Sequence, residues 1–86
     1  MMKKIYSFLL FVFIGISAVA QNAVWNMANE AYSLEEYDKA IELYRKAGET
    51  SGVSSTYYYN LGNAYYKNGE IANAILNYER ALILNP

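Results

Sequence analysis

The chain repeats itself at a distance of 34 residues. That shift places Asn26 on Asn60, Asn29 on Asn63, Tyr32 on Tyr66, Glu36 on Glu70, Ala40 on Ala74, Ile41 on Ile75, Tyr44 on Tyr78 and Ala47 on Ala81. Similar pairs fill the gaps: Met27 with Leu61, Ala28 with Gly62, Tyr37 with Ile71. The identities fall at irregular positions, which low complexity does not produce. A fixed period of this size signals stacked supersecondary units, each too small to bury its own apolar face.

Apolar spacing within each copy predicts helices. Tyr58, Leu61, Gly62 and Tyr65 stand at i, i+3, i+4 and i+7, and Ile71, Ala74, Ile75, Tyr78, Ala81 and Leu82 continue that period after Asn68-Gly69. Each unit is then a helix hairpin, and the fold class is all-α: two tandem helix-turn-helix hairpins forming a segment of an α-solenoid. Ala40 and Ala74 are placed for close approach of the second helix, opposite the small Ala28 and Gly62. Tyr44 and Tyr78, apolar with a polar tip, suit the seam between hairpins. Gly69 suits the left-handed residue after a helix end. Glu35 holds the matching place in the first unit, so that turn forms without glycine. Gly48 to Ser54 reads as a polar connector, and Pro86 as a helix stop. The expected boundaries are 1–20 for a leader, 21–54 for a degenerate first unit and 55–86 for the second.

The first twenty residues are unlike the rest. Lys3 and Lys4 precede an apolar run from Ile5 to Ile16, and Ala18-Val19-Ala20 supplies small residues at −3 and −1. This is the pattern of a secretory signal peptide cut after Ala20, before Gln21. The run is shorter than the roughly 20 residues that span a bilayer; the other reading is an uncleaved N-terminal anchor. Export to the periplasm or cell envelope is the expectation. With the leader removed, five basic residues face eight acidic ones, a net charge of −3.

Composition closes off several chemistries. The chain has no Cys and no His, which excludes a disulfide framework, zinc sites built on thiolate or imidazole, and Cys/His or Ser/His catalytic pairs. No broad basic surface points to nucleic acid. The run Glu35, Glu36, Asp38, Lys39, Glu42, Arg45, Lys46 reads as a solvated helix face with i, i+4 pairs Glu35–Lys39 and Glu42–Lys46, worth about 0.2–0.5 kcal/mol each. No paired carboxylates in a cleft and no Gly-rich phosphate loop are evident, so neither catalysis, a small-molecule substrate nor a cofactor is expected.

The period and the pattern Leu61-Gly62, Tyr65, Gly69, Ala74, Tyr78, Ala81, Pro86 resemble the tetratricopeptide repeat (TPR) family. Tyr58 stands where that family often has Trp. The first copy departs further, with Val24 for the aromatic, Ala31 for the tyrosine and Gly52 for the proline. The resemblance covers residues 22–86. The wording of Tyr58–Pro86 behind a signal peptide also resembles BatE-type proteins of bacterial aerotolerance operons. That likeness implies MoxR-type ATPases and von Willebrand-factor-A proteins as partners.

In such an array the first helix of each hairpin lines a concave groove. Trp25, Asn29 and Tyr32 share one face there, matched by Tyr59, Asn63 and Tyr66, with Lys67 alongside. Two rows of aromatic, amide, aromatic suit an extended peptide: amides bond its backbone and rings supply rigid contact. The family resemblance implies ligand contact at Asn29 and Asn63. Asn60 matches one Asn of the family's carboxylate clamp, but Trp25 stands where the clamp needs Lys, so a chaperone C-terminus is not the expected ligand. The competing reading of these side chains is packing between repeats.

The expectation is thus a non-catalytic scaffold for protein–protein interaction. Leu76, Leu82, Ile83 and Leu84 exceed what one hairpin can cover, and two hairpins fall short of the three or so repeats a solenoid needs. Either the chain is part of a longer protein, or the ledge serves packing or oligomerisation through self-association.

Overall fold

A computed structural model describes residues 23–85. The expected signal peptide and Pro86 lie outside them. Every regular element among the described residues is an α-helix: α1 over residues 23–33, α2 over Tyr37–Ser51, α3 over Ser55–Lys67 and α4 over Ile71–Leu84. None of these helices is long and apolar enough to cross a membrane. They form two hairpins, α1–α2 and α3–α4, with α3 packed against both α2 and α4.

The two turns share one hydrogen-bonding scheme. After α3, the Gly69 amide donates to the Tyr66 carbonyl at 3.1 Å and the Glu70 amide to the Tyr65 carbonyl at 2.9 Å. This is the Schellman arrangement, and it requires a left-handed residue, here Gly69 at φ +82°. After α1, the Glu35 amide donates to Tyr32 at 3.0 Å and the Glu36 amide to Ala31 at 2.9 Å, with Glu35 itself at φ +62°. A side chain in that region crowds the following carbonyl, at a cost of about 1–2 kcal/mol. The first turn therefore closes without glycine, under strain.

Glu35 also explains why one expected ion pair is missing. It lies in the turn rather than on α2, so Lys39 pairs instead with Glu36 at 3.7 Å, and both side chains are well exposed. Glu42 and Lys46 form no ion pair among the described residues. At the second turn Asn68 donates through Nδ2 to Asp38 Oδ1 at 2.8 Å and to Glu70 Oε2 at 2.9 Å. That bond ties the tip of one hairpin to the first turn of α2.

The connector is shorter than the sequence pattern predicts. α2 runs on to Ser51, leaving only residues 52–54 outside a helix. Gly48 is an interior helical residue and is buried. Its lack of a side chain admits the ring of Tyr57: a Cβ there would meet Tyr57 Cζ at 2.5 Å. Ser54 then starts α3, accepting the Tyr57 amide on its hydroxyl oxygen at 3.1 Å. The same residue is thus positioned through its backbone by a cap and through its ring by Gly48.

The core is built from small residues and tyrosine. Ala28, Ala31, Ala40, Tyr44, Ala47, Leu61, Ala64 and Ala74 are buried. Gly62 lies against Tyr78, whose Cδ1 and Cε1 would stand 2.7 Å from an added Cβ. Of the apolar period on α4, only Ala74 is buried; Ile71, Ile75 and Leu82 are about half exposed or more. The reason is geometric: α3 covers one side of α4, and no described element covers the other. Asn77 is buried beside Ala74, at 3% exposure.

Candidate functional site

Each hairpin carries the same three-residue cluster. In the first, the Tyr44 hydroxyl donates to Asn29 Oδ1 at 2.6 Å, and the Trp25 and Tyr44 rings meet edge-on with centroids 5.4 Å apart. In the second, the Tyr78 hydroxyl donates to Asn63 Oδ1 at 2.5 Å, and the Tyr59 and Tyr78 rings lie 5.9 Å apart. The 34-residue shift maps one cluster onto the other. A tyrosine on the second helix of each hairpin therefore fixes the amide of the asparagine on the first. The amide oxygen is engaged. Among the described residues nothing accepts from Nδ2 of either asparagine, so the donor half is left for other use.

Two clefts open onto these amides. The smaller, of about 200 Å³, lies between the hairpins and is lined by Asn29, Tyr32, Ser33 and Tyr44 together with Asn60 and Asn63. The larger, of about 570 Å³, lies between α3 and α4 and is lined by Tyr59, Asn63, Tyr78 and Leu82, with Ser55, Thr56, Ala81 and Asn85 at its rim. Asn63 is common to both. Of the seven residues singled out from the sequence, four line these clefts: Asn29, Tyr32, Tyr59 and Asn63.

The others sit differently. Trp25 is partly buried on Tyr44 and the core, so its ring closes one end of the first cluster. Tyr66, 57% exposed, and Lys67 stand on the surface at the end of α3. Tyr32 is partly buried and meets the Tyr37 ring at 5.6 Å. Sequence reasoning assigned Tyr44 and Tyr78 to the seam between hairpins, and missed that their hydroxyls bond within their own hairpin. A signal existed: each lies 15 residues beyond its asparagine, in both copies.

Burial and neighbouring phenols both act on the tyrosine hydroxyls of these clusters. Burial is the first cause pushing the Tyr78 hydroxyl above its ordinary pKa, followed by the neighbouring phenols Tyr59, Tyr32 and Tyr66. Tyr44 is raised by burial and then by Tyr32. Tyrosines of both rows therefore gather about one hydroxyl. No three acidic side chains among the described residues come together to hold a metal ion. What the arrangement can do is donate hydrogen bonds from fixed amides and stack rings on a ligand.

Comparison with known families agrees with this architecture. A tetratricopeptide repeat model matches residues 55–86, and a second model, a TPR repeat, matches residues 28–69, across the junction of the hairpins. Together they span all four helices from Ala28 onward. Paired helices in tandem, a period of 34 and these two matches lead to one conclusion: the chain belongs to the tetratricopeptide-repeat family.

Proposed function

We propose that this protein is an exported, non-catalytic scaffold that holds an extended peptide or partner segment in the groove running over Asn29, Tyr32, Tyr59 and Asn63. TPR repeats generally mediate protein–protein interaction, and this reading names where that happens here. One observation carries it. Tyr78 locks the Asn63 amide by its oxygen and leaves Nδ2 without a partner among the described residues, on a residue that lines both clefts. A locked donor loses little entropy when it bonds a backbone carbonyl, which is what preorganised peptide recognition needs. Tyr59 and Tyr66, both more than half exposed, supply ring surface beside it, with Lys67 next to Tyr66. The signal-like first twenty residues support export to the periplasm or cell envelope as part of this reading. The BatE-like wording makes von Willebrand-factor-A and MoxR-type proteins the first partners to try.

The test is selection of extended peptides from a random display library on the full chain. Selected peptides are expected to lose at least tenfold in affinity when Asn63 is replaced by alanine. Peptides that bind Asn63→Ala unchanged, with folding intact by circular dichroism, would overturn the groove.

A second reading rests on α4. Leu82 is 61% exposed, and with Ile71 and Ile75 on the same side of α4 it forms an apolar strip. By the 34-residue shift this is the side on which α2 receives α3. A second copy of the chain is the occupant of that reading, which makes the protein an oligomerisation module.

A further inference from the structure

On the side of the α3–α4 hairpin away from the groove, a cavity of about 410 Å³ reaches across to α2. It shares no residue with either groove cleft. Arg45 from α2 and Arg80 from α4 both line it, flanking the adjacent rings of Tyr57 and Tyr58, which are 5.0 Å apart. The Arg80 guanidinium lies over the Tyr58 ring, 5.7 Å from its centroid. Stacking of this kind fixes the guanidinium plane while leaving its edge N–H groups free to donate. Neither arginine forms an ion pair among the described residues. Asn73 and Asn77 complete the polar lining.

Asn77 makes the cavity unusual. It is 3% exposed, and its Nδ2 donates to the Asn73 carbonyl at 2.8 Å, which fixes its amide plane. Its Oδ1 is buried and meets no donor. An unpaired buried amide oxygen weakens a fold. The repeat supplies its own control: 34 residues earlier stands Leu43, partly buried on the core with no polar group to satisfy. The same comparison puts Val24 where Tyr58 stands and Ala23 where Tyr57 stands. Apart from Arg45, which α2 contributes, this constellation belongs to the second unit, so the general repeat pattern does not account for it.

We propose that this cavity is a second recognition site, for a carboxylate carried on a peptide segment. The carboxylate would lie between the Arg45 and Arg80 guanidiniums, and the peptide's own backbone N–H would supply the donor that Asn77 lacks. Charge favours a single carboxylate over a phosphate dianion. Glu42 and Glu49 lie one turn on either side of Arg45 on α2 and offset part of its charge, while Arg80 has only uncharged residues, Leu76, Asn77, Ile83 and Leu84, at the neighbouring helical positions. Arg80 is then the anchor and Arg45 the lesser partner.

The test is a nuclear magnetic resonance titration of the full chain with three probes: the peptide acetyl-Ala-Glu-Ala-amide, its Gln counterpart, and inorganic phosphate. The Glu peptide is expected to shift the Arg80 Nε–H and Asn77 Nδ2 resonances saturably, and the Gln peptide to bind roughly tenfold more weakly, as for loss of a hydrogen bond to a charged group. Arg80→Met should remove that preference without changing the melting temperature. Asn77→Leu should raise the melting temperature and weaken the Glu peptide several-fold. Equal binding of Glu and Gln peptides would overturn the site. So would phosphate moving the same resonances as strongly, or Arg80→Met leaving the preference intact. None of these variants touches the groove, so failure here leaves the groove reading standing.

Discussion

The ring of Tyr57 rests directly on the backbone of Gly48, in a space that even a methyl group would fill. This contact sets how closely α2 and α3 approach, and with it how the two hairpins stack. In an ordinary helix interior Gly→Ala is stabilising by roughly 0.5–1 kcal/mol. Here the added Cβ would overlap Tyr57, and overpacking of this kind costs about 1–3 kcal/mol. Gly48→Ala is therefore expected to destabilise, by roughly 1–2 kcal/mol net in urea unfolding. Pairing it with Tyr57→Leu should recover part of the loss, since the two positions are coupled. A stable Gly48→Ala chain would mean that the ring can slide away.

The strained turn predicts a gain rather than a loss. Glu35 holds φ +62° where the second unit has Gly69 at φ +82°. Glu35→Gly removes the crowding, and it takes away no helix residue, because Glu35 lies between α1 and α2. A stabilisation of about 1 kcal/mol is expected. The midpoint of urea unfolding checks it; an unchanged or lower midpoint would show that the first turn relaxes by another route.

These two positions show how far the sequence was legible. The repeat, the hairpins, the close-packed alanines and the Gly69 turn follow from period and residue type, because each depends on its neighbours within one unit. Glu35 could be read too, as a missing glycine. Gly48 could not: between Ala47 and Glu49-Thr50-Ser51-Gly52 it looks like the start of a loop, and only the position of Tyr57 reveals it as a packing site. The geometry of the candidate site was half legible. Asn29 and Asn63 stand out by repetition, but their bonds to Tyr44 and Tyr78 join two helices, so the helical period of neither shows them and only the recurring 15-residue separation marks them. Asn77 gave no warning, since an asparagine on a helix is exposed in most settings and its burial depends on where α3 lies.

Alkaline pH should unfold the protein through its buried phenols. Tyr57 is raised above the ordinary value of 10.0 by burial first, then by the Tyr58 phenol, with Arg45 opposing. Tyr44 and Tyr78 are raised as well, burial again leading. A folded-state pKa above the unfolded value means that the folded state holds the proton more tightly. The contribution is fully present below pH 10 and is lost as pH rises through the folded pKa values. Tyr44, Tyr57 and Tyr78 are expected to give a late phase at 295 nm that coincides with loss of helical circular dichroism. Tyr44→Phe and Tyr57→Phe should each shrink that phase. Absence of such a late phase, with the helices intact, would contradict the burial.

The bond from Tyr78 to Asn63 separates holding a ligand from holding the fold. Asn63→Ala removes both the Nδ2 donor and the acceptor for Tyr78, leaving a part-buried hydroxyl without its partner, and should cost about 1 kcal/mol of stability along with peptide affinity. Tyr78→Phe removes only the hydroxyl. Asn63 keeps its donor but loses the bond that orients it, so affinity should fall by a few fold rather than tenfold. If Tyr78→Phe and Asn63→Ala reduce affinity equally, orientation is everything and the donor itself contributes nothing. If neither does, the bond serves packing alone.

The exposed strip on α4 gives the oligomerisation reading its own measurement. The 34-residue shift sets Leu82 against Gly48 and Ala23 against Tyr57. At the internal junction a large ring fits over a glycine; between copies, the leucine of α4 would face the small residue of α1, the reverse fit at similar total volume. Volume-conserving exchanges of this kind are the best tolerated in packed interfaces. Glu30 opposes it, since it stands in α1 where fully buried Ala64 stands in α3 and would lose water on stacking. Association is therefore expected to be weak and to strengthen in Glu30→Ala. A head-to-tail contact leaves a free face at each end of a pair unless the rotation closes a ring, so mass should climb with concentration instead of stopping at a dimer. Light scattering over a dilution series reads this directly, and Ile75→Lys should abolish it, since Ile75, 53% exposed, stands where buried Ile41 stands in α2. A mass that stays at one chain across the series, or that stops at two and ignores both substitutions, would remove self-association through α4 from consideration.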